Sequence, residues 1–240
     1  MSRDKVSDFN HYKVAYVITG KVFNETPLRV GLGKAEQLGS PTDLPVIKMR
    51  ISEGKEIPYI PGSSLKGVFR SYVEKIAAAI YGLESIHSPF DSKRAESEYE
   101  DNRICAVCGI FGSTKLASHV IVKDAFPLSN TALMLKPGIG INRDFGGVQP
   151  GIGPFVEEYV PSGLEWSFGM NILNINLEDK QGEDPRPGLL KQLISSLRKG
   201  ELQVGGRKSV GSGIITLKEL KTLKRFINPS GEFSEIEVNI

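Results

Sequence analysis

Residues 61–81, PGSSLKGVFRSYVEKIAAAIY, are the stretch on which the fold turns. Leu65, Val68, Phe69, Tyr72, Val73, Ile76 and Ile80 recur at the three- and four-residue spacing that lines up apolar side chains on one side of an α-helix. Pro61-Gly62-Ser63-Ser64 ahead of them is a turn and cap signal, with Ser63 or Ser64 as the capping hydroxyl, and Tyr81-Gly82 marks the end. Upstream, residues 12–22 (YKVAYVITGKV) are β-rich and read as a first strand. Residues 23–45, spaced by glycine and proline with no helical period, read as a long loop.

Downstream, residues 84–103 are charged and aperiodic and are expected to form a mobile loop. His119–Ala125, HVIVKDA, reads as a buried strand. Residues 127–161, rich in glycine and proline, are expected to leave the core as an extended excursion, in the manner of a hairpin. Residues 164–177 read as a long strand and 188–199 as a short amphipathic helix. Residues 202–204 and 214–220 are expected as strands on either side of a glycine loop. The order β, α, β, excursion, β, α, β is the plan of the ferredoxin-like α+β fold, which RNA-recognition-motif proteins share.

Composition bounds the function. The chain has 240 residues, 24% charged and 40% hydrophobic, which suits a globular protein and is too apolar for a disordered one. No apolar run is long enough to span a membrane, and residues 1–13 lack the apolar core of a secretory signal. Cys105 and Cys108 are the only cysteines, which excludes a disulfide framework and leads us to expect a cytoplasmic protein. The net charge of +2 argues at first against a nucleic-acid partner, but the charges are segregated. Residues 189–225 hold nine Lys/Arg against two Glu, whereas residues 144–188 hold eight acids against two bases. Such segregation can build a polyanion-binding face, or it can leave ordinary solvated lysine-rich surfaces.

Two motifs point to anions. Gly205-Gly206-Arg207-Lys208-Ser209-Val210-Gly211-Ser212-Gly213 combines glycines, whose amides can closely approach a phosphate, with two bases. It lies between two strands and lacks the strand-to-helix context of a nucleotide P-loop, so ATP is not its ligand. The bland reading is a glycine turn with two solvated bases. In the second motif, Lys66 and Arg70 sit four apart on one face of the helix that Ser63 and Ser64 begin. The helix amino end attracts phosphate, although an ordinary capped surface helix looks the same in sequence. Cys105-Ala106-Val107-Cys108 has zinc-knuckle spacing, because thiolates at i and i+3 can share one Zn²⁺. A second C-x2-C is missing. His87 is the candidate third ligand, the fourth is not identifiable, and two buried free cysteines are the alternative.

IPGSSLKGVFR, then CAVCGIFG at 105–112, HVIVKDA and the terminal GGRKSVGSG resemble, in that order, the RAMP superfamily, and within it the backbone subunits of type III CRISPR effector complexes. The resemblance covers about residues 31–220. It implies a single RAMP domain over residues 1–240, with insertions at about 84–112 and 127–161. It also implies a palm that polymerises along a CRISPR RNA, pairs with target RNA and docks other effector subunits. Ser63, Ser64, Lys66, Arg70, Gly206, Arg207, Lys208, Ser209 and Gly211 are the RNA-backbone contacts it implies.

Asp43-Leu44-Pro45-Val46-Ile47 matches the loop whose aspartate cuts target RNA in the family, making Asp43 the implied catalytic residue, with Mg²⁺ or another divalent ion. Lys48-Met49-Arg50 departs from the acid that often follows in the family. The 127–161 excursion resembles the family's thumb, which displaces bases from the guide–target duplex, and Arg143 is its implied RNA contact. Phe145-Gly146 stands where the family usually has Thr-Gly. Some relatives carry a His/Cys zinc site at the knuckle. Two other functions remain open: an RNA-binding subunit that does not cut, and a CRISPR RNA-processing nuclease, which would normally need a histidine-centred site.

Overall fold

The computed structural model describes residues 8–31, 42–51, 54–101, 103–151, 154–179 and 184–240. Strand β1 (Val14–Asn24) sends Tyr16, Ile18 and Val22, all fully buried, to one side. β1 is the centre of an antiparallel sheet. It pairs on one side with β7 (Glu165–Leu173), which pairs with β4 (Val120–Val122). On the other side it pairs with β9 (Ile214–Ile227), which is flanked by β10 (Phe233–Glu237) and by the short β8 (Leu202–Gln203). The order along the sheet is β10-β9-β1-β7-β4, and β2 (Lys48–Arg50) pairs with β3 (Glu56–Pro58) apart from it. The architecture is therefore a mixture of helices and an antiparallel sheet. Among the described residues no helix is long and apolar enough to cross a membrane.

Helix α1 (Gly62–Tyr81) closes the core with Leu65, Phe69, Val73 and Ala77. Burying each of the three larger side chains is worth about 1.5–3 kcal/mol. Ile80, expected on the same stripe, is exposed, because the helix end runs past the core. No hydroxyl caps α1. Pro61 occupies the cap position without a side-chain bond, and the Gly62 amide donates to Asp124 Oδ1 at 2.7 Å. Gly62 is required by close approach: a Cβ there would sit 2.3 Å from the Val122 carbonyl. Helix α4 (Arg186–Arg198) buries Leu189, Leu190, Leu193, Ile194 and Leu197 against the same core.

Three expectations change. The loop at 84–103 contains helix α2 (Ser92–Glu100), capped by the Asp91 carboxylate, which accepts from the Arg94 amide at 3.1 Å. Only Ala95 of α2 is buried, so no apolar period announced it; the cap and the Arg94–Glu98 pair four residues apart were its signals. The last strand runs to Ile227, past a register shift opposite Gly20, and β10 was not anticipated. The core of the loop expected at 23–45, residues 32–41, lies outside the described residues. The excursion does form a hairpin, β5 (Met134–Gly138) with β6 (Phe155–Tyr159), whose far end exposes Ile139, Ile141, Phe145 and Val148.

The hairpin is fastened by Asn24, which is fully buried. Its Nδ2 donates to the carbonyls of Thr26 (3.0 Å) and Pro161 (2.8 Å), and its Oδ1 accepts from Leu164 N (3.2 Å) and Trp166 Nε1 (3.0 Å). Replacing it with alanine strands buried polar groups at about 1–3 kcal/mol each. Asn24→Ala should therefore lower unfolding free energy by at least about 3 kcal/mol in urea titrations. A loss under about 1 kcal/mol would show that these groups find other partners.

Candidate functional site

Segments far apart in sequence meet on β6. Residues 28–31 run beside its end, with Leu28 and Val160 exchanging backbone bonds of 2.9 and 2.8 Å. Ile47 N then donates to Val30 O at 2.8 Å, bringing the 42–47 segment alongside. That segment lies on β6 itself. Thr42 Oγ1 donates to the Val156 carbonyl at 2.7 Å, and Leu44 forms a parallel bridge with Glu157. The Asp43 amide donates to Val156 O at 3.0 Å, and the Val156 amide donates back to Asp43 Oδ2 at 2.7 Å. Asp43 is exposed, with one carboxylate oxygen anchored and the other without a hydrogen-bond partner among the described residues.

The glycine loop also reaches β6. Arg207, held in the left-handed region at φ 59°, places its guanidinium 2.9 Å from Glu157 Oε1 and 5.6 Å from the centre of the Phe155 ring. Glu157 is buried while Arg207 is 44% exposed, so the guanidinium is anchored on one edge and open on the other. The pair holds the Arg207 proton even more firmly than usual. Gly205, at φ 86°, is dictated by packing, since a Cβ would come 2.2 Å from the Arg29 carbonyl.

The amides of Gly206, Gly211 and Gly213 donate to Arg29, Lys208 and Pro27 carbonyls. They are committed to holding the loop's shape, which leaves Lys208, Ser209 and the open edge of Arg207 as its outward chemistry. Arg29, missed in the sequence, lies with its guanidinium against Gly206, and its buried Nε has no hydrogen-bond partner among the described residues. No motif flags it, because only folding brings residue 29 beside residue 206.

The other expected residues are dispersed. Ser63 is exposed and Ser64 partly buried at the start of α1, where Asp124 already serves the first amide. Lys66 is half-buried, and burial, helped by nearby Arg70, makes its proton easier to lose. Arg70 is turned inward: it donates to Glu74 (2.8 Å), the Gly112 carbonyl (2.6 Å) and Cys108 Sγ (3.3 Å). Arg143 is exposed in the turn at the far end of the hairpin.

Charges segregated in sequence are brought together in space. Glu157 pairs with Arg207, Glu178 with Lys224 and Glu235 with Arg225, so the acidic stretches neutralise part of the basic one. The exposed bases Lys191, Arg198, Lys199, Lys208, Lys218 and Lys221 are left to carry the positive surface of that region.

The cysteine motif opens helix α3 (Ala106–Phe111), with Cys105 at the cap and Cys108 inside. His87 Nε2 and both sulfurs lie within 4.8 Å of one another. Cys108 Sγ is 3.4 Å from His87 Nε2, and Glu98 Oε2 is 3.0 Å from the same nitrogen. Zn–S and Zn–N bonds of about 2.3 and 2.0 Å place tetrahedral ligands about 3.5 Å apart, so this donor set fits Zn²⁺. The Cys108–Cys105 hydrogen bond lowers the Cys105 thiol to about 6, and the same bond with burial pushes Cys108 up. Glu98 was not recognised in the sequence, since a lone glutamate on a charged helix carries no ligand spacing.

The family model described as RAMP superfamily matches residues 24–216. The protein named CRISPR system Cms endoribonuclease Csm3, from Methanothermobacter thermautotrophicus, is 25% identical over 236 residues, covering 88% of this chain and 86% of the relative.

If the Glu157–Arg207 pair fixes the loop, Glu157→Gln should speed hydrogen exchange across residues 205–213. The expected change is about 5-fold, the equivalent of roughly 1 kcal/mol for a half-exposed pair. Unchanged exchange would mean that glycine packing alone holds the loop.

Proposed function

Because the chain belongs to the RAMP superfamily, we propose that it is a CRISPR RNA-binding backbone subunit of a type III interference complex that cuts guide-paired target RNA through Asp43. The relative named as an endoribonuclease supports this reading over nearly the full length of both chains. On this reading residues 1–240 are one RAMP domain, inserted at 84–112 and 127–161. Its sheet is a ferredoxin-like palm, a reading supported by β1 lying between β9 and β7 with β4 outermost. Its partners are CRISPR RNA, target RNA, further copies of the chain and other effector subunits.

The observation that carries cleavage is the exposed Asp43 carboxylate anchored on β6, the strand that also holds Arg207. The neighbouring acids are committed, Glu157 to Arg207 and Glu158 to Lys48 (2.9 Å) and the Val46 amide (3.0 Å). Among the described residues there, Asp43 is thus the acid left to meet an external cation. Mg²⁺ is commonly held by one or two carboxylates together with substrate phosphates, which suits a single open carboxylate. A divalent ion there would supply charge neutralisation of the scissile phosphate. The chain's own part is to fix Asp43 through Val156 and to hold RNA backbone with Arg29, Arg207, Lys208 and Ser209. The exposed apolar end of the hairpin, with Arg143, would act as the wedge between bases.

Lys48 stands where the family often has an acid, and its pair with Glu158 favours the non-cutting subunit as the second reading. A repeat-processing nuclease is less favoured. His87 is 3% exposed beside two cysteines and His119 is buried against Phe9, leaving only His11 exposed. We further propose that His87, Cys105 and Cys108 hold a structural Zn²⁺, with the Arg70 N–H bond to Cys108 Sγ steadying the thiolate.

In a reconstituted complex, Asp43→Asn should cut target RNA at least on the order of 10²-fold more slowly while keeping its guide RNA. Undiminished cutting would leave the scaffold reading and remove Asp43 from catalysis. Arg207→Ala with Lys208→Ala should reduce the slope of log affinity against log salt by about 1–2, as lost phosphate contacts release fewer counterions. An unaltered slope would place the RNA path elsewhere.

A further inference from the structure

The geometry points to Glu158 as the positioning residue for Asp43: its buried carboxylate reaches from β6 to the Val46 amide and fixes the segment that carries the cleaving group. This rests on the cleavage reading above.

The backbone around Asp43 creates the need. Residues 42–44 lie along one edge of β6, whose other edge pairs with β5. The amides of Asp43 and Leu44 donate to the Val156 carbonyl at 3.0 and 3.2 Å, and the Glu158 amide donates to Leu44 O at 3.1 Å. In a parallel ladder the next bond would run from the Val46 amide to the Glu158 carbonyl. Here the Val46 amide donates to the side chain instead, to Glu158 Oε2 at 3.0 Å. Pro45 supplies the reason. Its ring holds φ at about −65°, short of the roughly −120° of a parallel strand, so the chain turns off β6 there. The carboxylate bridges the gap that a carbonyl does not reach.

Glu158 is suited to the task. Its side chain is only 9% exposed, so water competes little for the charge-assisted bond to Val46. Its other oxygen accepts from Lys48 Nζ at 2.9 Å, which offsets the cost of burying the charge. Glu158 also ties cutting to the grip on RNA. Successive side chains of a strand point to opposite faces, and from one face Phe155 and Glu157 hold the Arg207 guanidinium. From the other, Glu158 holds Val46 and Lys48. One strand thereby sets where the arginine that holds RNA stands relative to the carboxylate that cuts it.

The test uses the reconstituted complex with its guide RNA and separates reach from charge. Glu158→Gln keeps the length and an acceptor oxygen for the Val46 amide but loses the charge, and Lys48, 28% exposed, can turn to water. Glu158→Asp keeps the charge but is one methylene shorter. At saturating target RNA, Glu158→Gln should cut within about 3-fold of the unaltered complex, and Glu158→Asp on the order of 10-fold or more slowly, with target affinity unchanged in both. If Glu158→Asp cuts as fast as Glu158→Gln, or faster, reach is not what matters and the proposal is overturned. Loss of guide RNA or of target affinity in step with the rate in Glu158→Asp assigns the residue to the fold alone and overturns it as well. Asp43→Asn, measured alongside, separates the two readings. If it cuts undiminished, the cleavage reading itself fails and the role of Glu158 falls with it. If it is inactive while Glu158→Asp cuts normally, the role of Glu158 alone fails.

Discussion

The buried amide of Asn24 is the constraint on which the rest of the arrangement depends. A side-chain amide has two N–H donors and an oxygen with two lone pairs, and here all four are used. The four partners belong to the end of β1, the return of the excursion and the start of β7. One side chain therefore sets where the hairpin leaves the sheet. Once Pro161 is fixed, Leu28 pairs with Val160, Arg29 lies beside the glycine loop and Asp43 lands on Val156. The candidate site is an outcome of that junction, since the segments that carry Arg29, Asp43, Glu157 and Arg207 are far apart in sequence.

Much of the frame was legible because it is built from apolar periodicity. The stripe of α1 and the alternation along β1 and β7 report burial directly. Helix α2 was not legible, because its stability comes from a cap, ion pairs and contacts with residues on other segments. β10 was missed for a related reason: its side chains are largely exposed, and what makes it a strand is the free edge of β9. The candidate site divided along the same line. Asp43 and the glycine loop could be named from motif resemblance, whereas Arg29, Glu98 and Glu157 acquire their partners only through folding. Arg70 shows the converse. Its place on the helix surface fitted an anion contact, yet its donors are spent on Glu74, Gly112 and Cys108.

Electrostatics follows the same logic of placement over totals. The acidic middle of the chain folds back on the basic region, so charges far apart in sequence are paired in space, and the balance of +2 does not tell which bases remain open. Glu157 directs its charge at a half-exposed guanidinium and holds it in one orientation. Preorganising a cation in this way reduces the entropy lost when a phosphate binds it, a benefit that adding another mobile lysine would not bring.

The position of β1 at the centre of the sheet also bears on how the chain reaches this state. Both neighbours of β1, β7 and β9, come from the last third of the sequence. During synthesis the first strand therefore emerges with its apolar face prepared and no partner to pair with. α1 has no completed sheet to lie on until more than 200 residues have been made. Closing such long loops is slow and leaves strand edges and apolar surface open meanwhile. For most of its time on the ribosome, this chain is a nascent polypeptide in need of protection rather than a folding domain.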